Sequence, residues 1–520
     1  RDRLRAPRGD RQVVADPPLS EAVETIRSNA EASRGSDRDF QGRSLHDLSA
    51  QARRELVAAA RTHTLSYRDA DVPGYSPQPA SADGLDVSDL ILLSGHQPEL
   101  FHPGVWAKNF CLARLAKASG AVPIHLVVDS DEEKQPGLLE PRRSPQRPTR
   151  RLIDYDRRTE EIPAEERQVL DEDCWKSFGR RAEEHIRSLI PNPLSRDFWP
   201  LAVDRARQGE TLGNSLSQAR HAWEGRWGLQ TLELPLSRVC DLPAFHWFTA
   251  RVCADLERFR QVHNVGLQEY RRLNRIRSRT RPAPELIETD GWLEAPFWIW
   301  TRENPARRRL FAQSRGKHTA LSDRAGWEIV LPLERDGEAF KAVEALSDLA
   351  ARGVKIRTRA LTTTLWSRLV LGDAFIHGVG GAKYDQLTDL LMENFLGLPA
   401  PNFLTLSATV LLPISRPAIS QEDLRRVNAR LRELTWNPDR HVAEAFGAAR
   451  ELIAEKQRWI AAPPDGSNAG ARFRALRDVN ESLQPFVSDL RGMLLQERAS
   501  LVEKLRGERI LGSREYSFCL

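Results

Sequence analysis

The stretch "SGHQPELFHPGVWAKNF", residues 94–110, sets His96 and His102 on a turn rich in proline and glycine, with Lys108 and Asn109 just beyond. Imidazole and ammonium groups beside free backbone N–H groups are suited to holding phosphate oxygens and the charge that grows on them in a transition state. Gly95 lets the chain turn sharply after the apolar run Ile91-Leu92-Leu93, and Gln97 adds an amide to the same turn. Pro103-Gly104 then gives a rigid start to a helix, whose N-terminus favours an anion. A second polar cluster, "DSDEE" at 129–133, closes the apolar run "VPIHLVV". Asp129 and Asp131 there could hold a metal or accept a proton from a substrate amine or hydroxyl.

A third cluster lies far along the chain, in "KIRTRAL" and "LGDAFIHGVGGAKYDQL". Gly378, Gly380 and Gly381 allow close backbone approach to a ligand. His377, Lys383, Tyr384 and Asp385 are polar groups around that turn. Arg357 and Arg359 alternate along an expected strand and so face one side of it, where they clamp a carboxylate or lie along a solvated edge. Neither the dinucleotide glycine fingerprint nor a P-loop is present.

The elements that must position these groups are readable from hydrophobic period. A strand at 91–95, a helix from about 104 to 119 and a strand at 122–129 form a βαβ unit. The unbroken apolar run of the second strand marks a parallel strand buried on both faces. Ligands of open α/β sheets sit outside the carboxyl ends of such strands, where both histidine and acid clusters fall. Residues 1–90 read as helix then loop, including the turn-rich connection at 71–84. Residues 132–165 read as a long solvated insertion, followed by helices at 165–225, a strand in "LQTLELPL" and one long amphipathic helix at 245–273. A β-rich stretch, a helix at 383–396 and the strand "FLTLSATVLLP" complete the core. Two helical stretches, 421–460 and 470–508, predict an antiparallel hairpin, coiled-coil-like, packing on the body or on a second subunit. The expected fold is α/β: a parallel-sheet core at 91–415, insertions at about 132–230 and 282–345, an N-terminal segment at 1–90 and a helical tail at 416–520.

Composition excludes several classes. The 520 residues are 40% hydrophobic and 29% charged, and no apolar run is long enough for a bilayer. The 77 bases and 72 acids leave a net charge of +5, mild basicity that suits phosphate-bearing small molecules rather than nucleic acid. The basic run "RRLNRIRSRTR" at 271–281 lacks interleaved aromatics. It reads as a solvated helix end and linker, or as an arginine site for a carboxylate or phosphate. Five unpaired cysteines fit reduced thiols in a cytoplasm, with no zinc spacing among them. Arg1 is read as a processed or incomplete start, without a secretory leader.

In these clusters the chain resembles the bacillithiol-biosynthesis cysteine-adding enzyme family, the BshC cysteine ligases. "GHQPELFHPGVWAKN" is similar to that family's strand-to-helix motif, and "VVDSDEE" occupies the place of a family strand ending in acids and histidine. The segments "RAL", "LGDAFIHGVGGAKYDQL" and "LPAPNFLTLSATVLLP" resemble its arginine-leucine segment, Gly-Gly turn and proline-to-serine strand. The resemblance touches both halves of the chain in the same order. It implies a Rossmann-like core of nucleotidyltransferase type with connecting insertions, a C-terminal coiled coil that mediates dimers, and the joining of cysteine to glucosamine-malate. His96 and His102 depart from the family's residues and bring the turn closer to the histidine signature of adenylyl-transferring enzymes. Lys383, Tyr384 and Asp385 stand where the family's turn continues with proline and glutamate.

The expected activity is therefore amide-bond formation by a divergent member. On this reading ATP with Mg2+ activates a carboxylate as an acyl-adenylate, and an amine attacks it. His96, His102 and Lys108 stabilise phosphate, while Asp129 or Asp131 positions the amine or the magnesium. No protein-held metal is assigned. The alternative is a non-catalytic nucleotide- or sugar-binding protein on the same fold.

Overall fold

In the computed structural model, the described residues are 4–34, 37–69, 90–132, 136–142, 148–158, 162–416, 418–442, 447–462 and 468–520. The expected connection at 71–84 lies outside them. Six strands build the central sheet, in the spatial order Gln12–Asp16, Leu404–Thr409, Ala374–His377, Ile91–His96, Val122–Val127 and Leu232–Pro235. All neighbours run parallel except Gln12–Asp16, which pairs antiparallel to Leu404–Thr409. That edge strand falls in a segment expected to be helix then loop. Its exposed outer residues give it no buried apolar run to announce it.

From Ile91–His96 the chain steps outward to Val122–Val127 and Leu232–Pro235. It later crosses back to lay Ala374–His377 and Leu404–Thr409 on the other side. The reversal falls between the 374–377 and 91–96 strands, the point where an open α/β sheet leaves a crevice at its carboxyl edge. Register brings the strand ends together there: His96 pairs with Val127, Ile376 with Ser94 and His377 with Thr405.

The strands form where the apolar runs predict them. All six residues of Val122–Val127 are buried, as are Ile91, Leu92 and Leu93. Each Val, Leu or Ile side chain among them contributes about 1.5–3 kcal/mol on leaving water. The intervening helix Pro103–Ser119 starts with proline at its first position, where a missing N–H costs nothing. It stops at Gly120, whose φ of 76° is the left-handed cap that glycine adopts without strain.

A second, antiparallel sheet carries the β-rich stretch. Its order is Glu328–Leu331, His318–Ser322, Arg308–Arg315, Trp292–Thr301 and Val354–Thr358, with Glu288–Thr289 beside the fourth. The long helix expected at 245–273 is two helices, Pro243–Ala254 and Leu256–Leu273, separated by the non-helical Asp255. The segment expected as a solvated insertion contains the paired strands Gly137–Arg142 and Thr149–Asp154, with Ile153 and Tyr155 buried.

The chain divides into two compact units, one of Arg1–Glu140, Leu152–Leu412 and Arg514–Leu520, the other of Pro141–Arg151 and Pro413–Ser513. Both sheets' long-range pairings belong to the first. Among its described residues the second contains four α-helices, Gln421–Trp436, Gly447–Ala461, Ala469–Leu483 and Ser488–Leu511, where two helical stretches were expected. Pro438 and Pro485 open short 3-10 turns that break each stretch. The outer pair packs through Val427, Leu434 and Leu494, the inner pair through Ala449, Val479 and Leu483. Phe473, on the helix Ala469–Leu483, is exposed.

Candidate functional site

A cleft of about 580 Å³ opens at the carboxyl edge of the central sheet, in the first unit. Its walls include Gly95, His96, Gln97, His102, Gly104, Lys108 and Asp131 from the first half of the chain. His377, Gly378, Gly380, Gly381, Lys383 and Tyr384 come from the second half. Residues nearly 300 positions apart in the sequence thus share one cavity because the sheet reverses direction between their strands.

His96 ends its strand, with Nδ1 3.3 Å from the Gln97 carbonyl and its ring edge-on to Phe101. Burial, then the nearby Lys108, holds it down to about 3, so it is a neutral imidazole at pH 7. His102 caps the 103–119 helix: its Nδ1 accepts the Gly104 N–H at 3.1 Å. That bond places the proton of the neutral ring on Nε2, leaving a donor on a residue that lines the cleft. Burial lowers this imidazole too. Both histidines therefore act as dipoles and donors, not as cations.

Lys108 is the buried charge of the site. Its Nζ donates to the Gly95 carbonyl at 2.8 Å, and no carboxylate pairs with it among the described residues. Burial and then Arg220 pull the ammonium down to about 8. An anion entering the cleft would supply the missing partner.

Opposite stands the helix Val379–Leu391. It starts four residues earlier than the expected 383, so Gly380 and Gly381 belong to its first turn. The first-turn N–H groups of a helix have no intrahelical acceptor. Gly378, at the N-cap, offers no side-chain bond to them. A Cβ at Gly378 or Gly380 would meet nothing within 4 Å, so this helix end is open to the cleft. At Gly381 a Cβ would stand 3.1 Å from His377 Nδ1, so the glycine makes room for that imidazole. His377 is buried between Phe375 and Phe403, with Nε2 3.0 Å from Asp385 Oδ2.

Five residues expected at the site face elsewhere. Asp129 is buried and its two oxygens take the Ser237 N–H at 2.9 Å and hydroxyl at 2.5 Å, capping a short helix. Burial, reinforced by Glu165, pushes this carboxyl up to about 7. Asp385 is fully buried behind His377 and accepts from Arg368 at 2.6 Å; His377 first, and then Arg368, hold its carboxyl well below the usual carboxylate range despite burial. Asn109 donates to the buried Glu224 at 2.8 Å. Arg357 is locked to Glu165 at 2.7 Å and Asp241 at 2.8 Å. Arg359 does not share its strand, which ends at Thr358; it precedes a helix, stacks 4.2 Å over Trp298 and pairs with Glu294 at 2.7 Å. Where alternation left a carboxylate clamp or a solvated edge open, both arginines are engaged by ion pairs within the protein, three in all.

Asp131 is the one described carboxylate lining the cleft. It accepts from Gln97 at 3.0 Å and from Arg307 at 2.9 Å. Residue spacing missed Arg5, Ser130, Ser407 and Arg514, which also line it. Arg514 reaches the cleft from the C-terminal segment, where it donates to the Ala408 carbonyl at 3.2 Å. Only tertiary folding brings that segment here, and no local pattern marks it.

Among the described residues no group of three or more His, Cys, Asp or Glu is placed to hold a metal ion, and no helix is long and apolar enough to cross a membrane. Compared with known proteins, the chain matches no family model and no curated relative.

Proposed function

We propose that this cleft is the active site of an amide-forming ligase on a Rossmann-like core of nucleotidyltransferase type. Its substrates are cysteine and an amino-sugar conjugate such as glucosamine-malate, in the synthesis of a bacillithiol-type thiol. The carrying observation is the open glycine N-terminus of the 379–391 helix facing the unpaired Lys108 across the sheet's reversal point. Starting the count at Ile91–His96, the five parallel strands stand in the order 3-2-1-4-5. That order supports the Rossmann-like assignment.

ATP supplies the activation of a carboxylate in this reading. Lys108 and the first-turn N–H groups at 379–381 bind phosphate oxygens, a role their charge and orientation fit. The His102 Nε2–H adds a neutral donor. Asp131 is the carboxylate available to orient an amine, or to share a magnesium ion held mainly by phosphates. Asp129, tied to Ser237, takes neither role. Exchange of labelled pyrophosphate into ATP, dependent on cysteine, tests the adenylation step. Exchange in the wild type and its loss in Lys108→Met supports the proposal, and no exchange with any amino acid refutes it.

A second reading, a non-catalytic nucleotide- or sugar-binding protein, draws on Asp131 alone. The one cleft carboxylate among the described residues is already engaged by Gln97 and Arg307. Comparing low-molecular-weight thiols in cells with and without the gene separates the two, since a binding protein leaves that pool unchanged. A cytoplasmic homodimer joined through the C-terminal helices completes the proposal, supported by the exposed Phe473, Met493 and Leu495.

A further inference from the structure

We infer that a second compartment beside the main cleft binds the anionic group of a small polar molecule. This cavity of about 380 Å³ borders the 379–391 helix and shares Arg5, Val379 and Lys383 with the main cleft. Its remaining polar walls are Asp16, Tyr270, Asn274, Gln386 and Thr405.

Three observations converge on it. Arg5 and Lys383, on the shared wall, have no ion-pair partner among the described residues, so two cations border the space beside one acid. The Thr405 hydroxyl is buried at the start of its strand and has no hydrogen-bond partner among the described residues, which leaves a donor for a ligand to satisfy. The basic run at 271–281, outside the main cleft, ends up here. Arg271 is buried and staples the loop that follows, donating to the carbonyls of Arg281 at 3.1 Å and Ala283 at 2.8 Å and pairing with Glu285 at 2.9 Å. That staple sets Asn274 and Ile276 on the cavity wall and leaves Arg275, Arg277 and Arg279 exposed nearby. The run is thus a loop built by one internal arginine, and its remaining charge raises the local potential for an anion.

Among the described residues, Asp16 is the single acid on the wall. It repels a bare dianion lying along its strand and accepts from a donor next to the anionic group. The ligand class is therefore an anion carrying a neighbouring hydroxyl or amine, its charge at Arg5 and Lys383 and its donor toward Asp16. The shared wall puts that charge at the boundary of the main cleft. Its service as a second-substrate pocket rests on the ligase reading; the binding itself does not.

The test is thermal stabilisation of the full chain by lactate, propionate and inorganic phosphate, against chloride at the same ionic strength. Lactate and phosphate should stabilise the wild type, lactate more than propionate, with affinity about tenfold weaker in Lys383→Gln and in Arg5→Gln. Lactate outcompeting phosphate assigns a carboxylate ligand, and the reverse a phosphate. Thr405→Val, which breaks no hydrogen bond within the protein, should weaken the same response. Neither anion stabilising beyond chloride, or all three variants responding like the wild type, overturns the inference. ATP affinity measured on Thr405→Val reports the main cleft separately, so failure of the nucleotide reading is distinguishable.

Discussion

At the scale of single residues, the site is a study in what burial does to charge. His96 sits close to a lysine and is pressed into neutrality, while Lys108 remains cationic because its ordinary value is so high that even strong depression leaves it near 8. Anion affinity should therefore hold at neutral pH and fall as pH rises through about 8, where the ammonium is lost. The linked effect on stability has the opposite sense. Between about 8 and the ordinary lysine range, the unfolded chain binds more protons at this position than the folded one, so stability gains with rising pH. Lys108→Met removes the penalty of the buried ammonium, so its stability relative to the wild type should be highest below pH 8 and decline above it. Urea unfolding of both proteins across that range measures this, and a pH-independent difference would place the lysine in water.

At the scale of elements, helix starts rather than loops build the cleft. The 103–119 helix can approach the sheet only because residue 104 is glycine: a Cβ there would stand 2.1 Å from the Ala408 carbonyl. Backbone cannot yield as a flexible side chain does, so Gly104→Ala should cost about 1–3 kcal/mol or more and push the His102 cap away from the cleft. Equilibrium unfolding reads the first effect, and an unchanged midpoint would contradict it. The sequence signals turn glycines at Gly104 and Gly378–Gly381, but not their separate reasons. Gly104 makes way for a strand and Gly381 for an imidazole, whereas Gly378 and Gly380 border open space. The buried strands Ile91–His96 and Val122–Val127 are legible because an apolar run without alternation has few other uses. The strand Gln12–Asp16 is not, since only one edge of it pairs and its outer residues are solvated.

At the scale of the whole molecule, the α/β class and the mostly parallel sheet follow from the same runs. The strand order does not, because it depends on where the chain reverses. Which polar residues reach the cleft is equally a matter of long-range packing. Asp129 and Asp131 stand two positions apart, yet one caps a buried helix and the other lines the cavity. Local pattern also cannot show that Arg357 and Arg359 are consumed by internal carboxylates, since Glu165, Asp241 and Glu294 come from other elements. On the proposed function, the reversal-point cleft binds a nucleotide through Lys108 and the 379–391 helix. Equilibrium titration of ATP at pH 7 into the wild type and Lys108→Met tests it most directly. Saturable binding to the wild type is expected, weakened about tenfold or more by loss of one charged hydrogen bond. No binding to the wild type, or equal affinity in the variant, would contradict it.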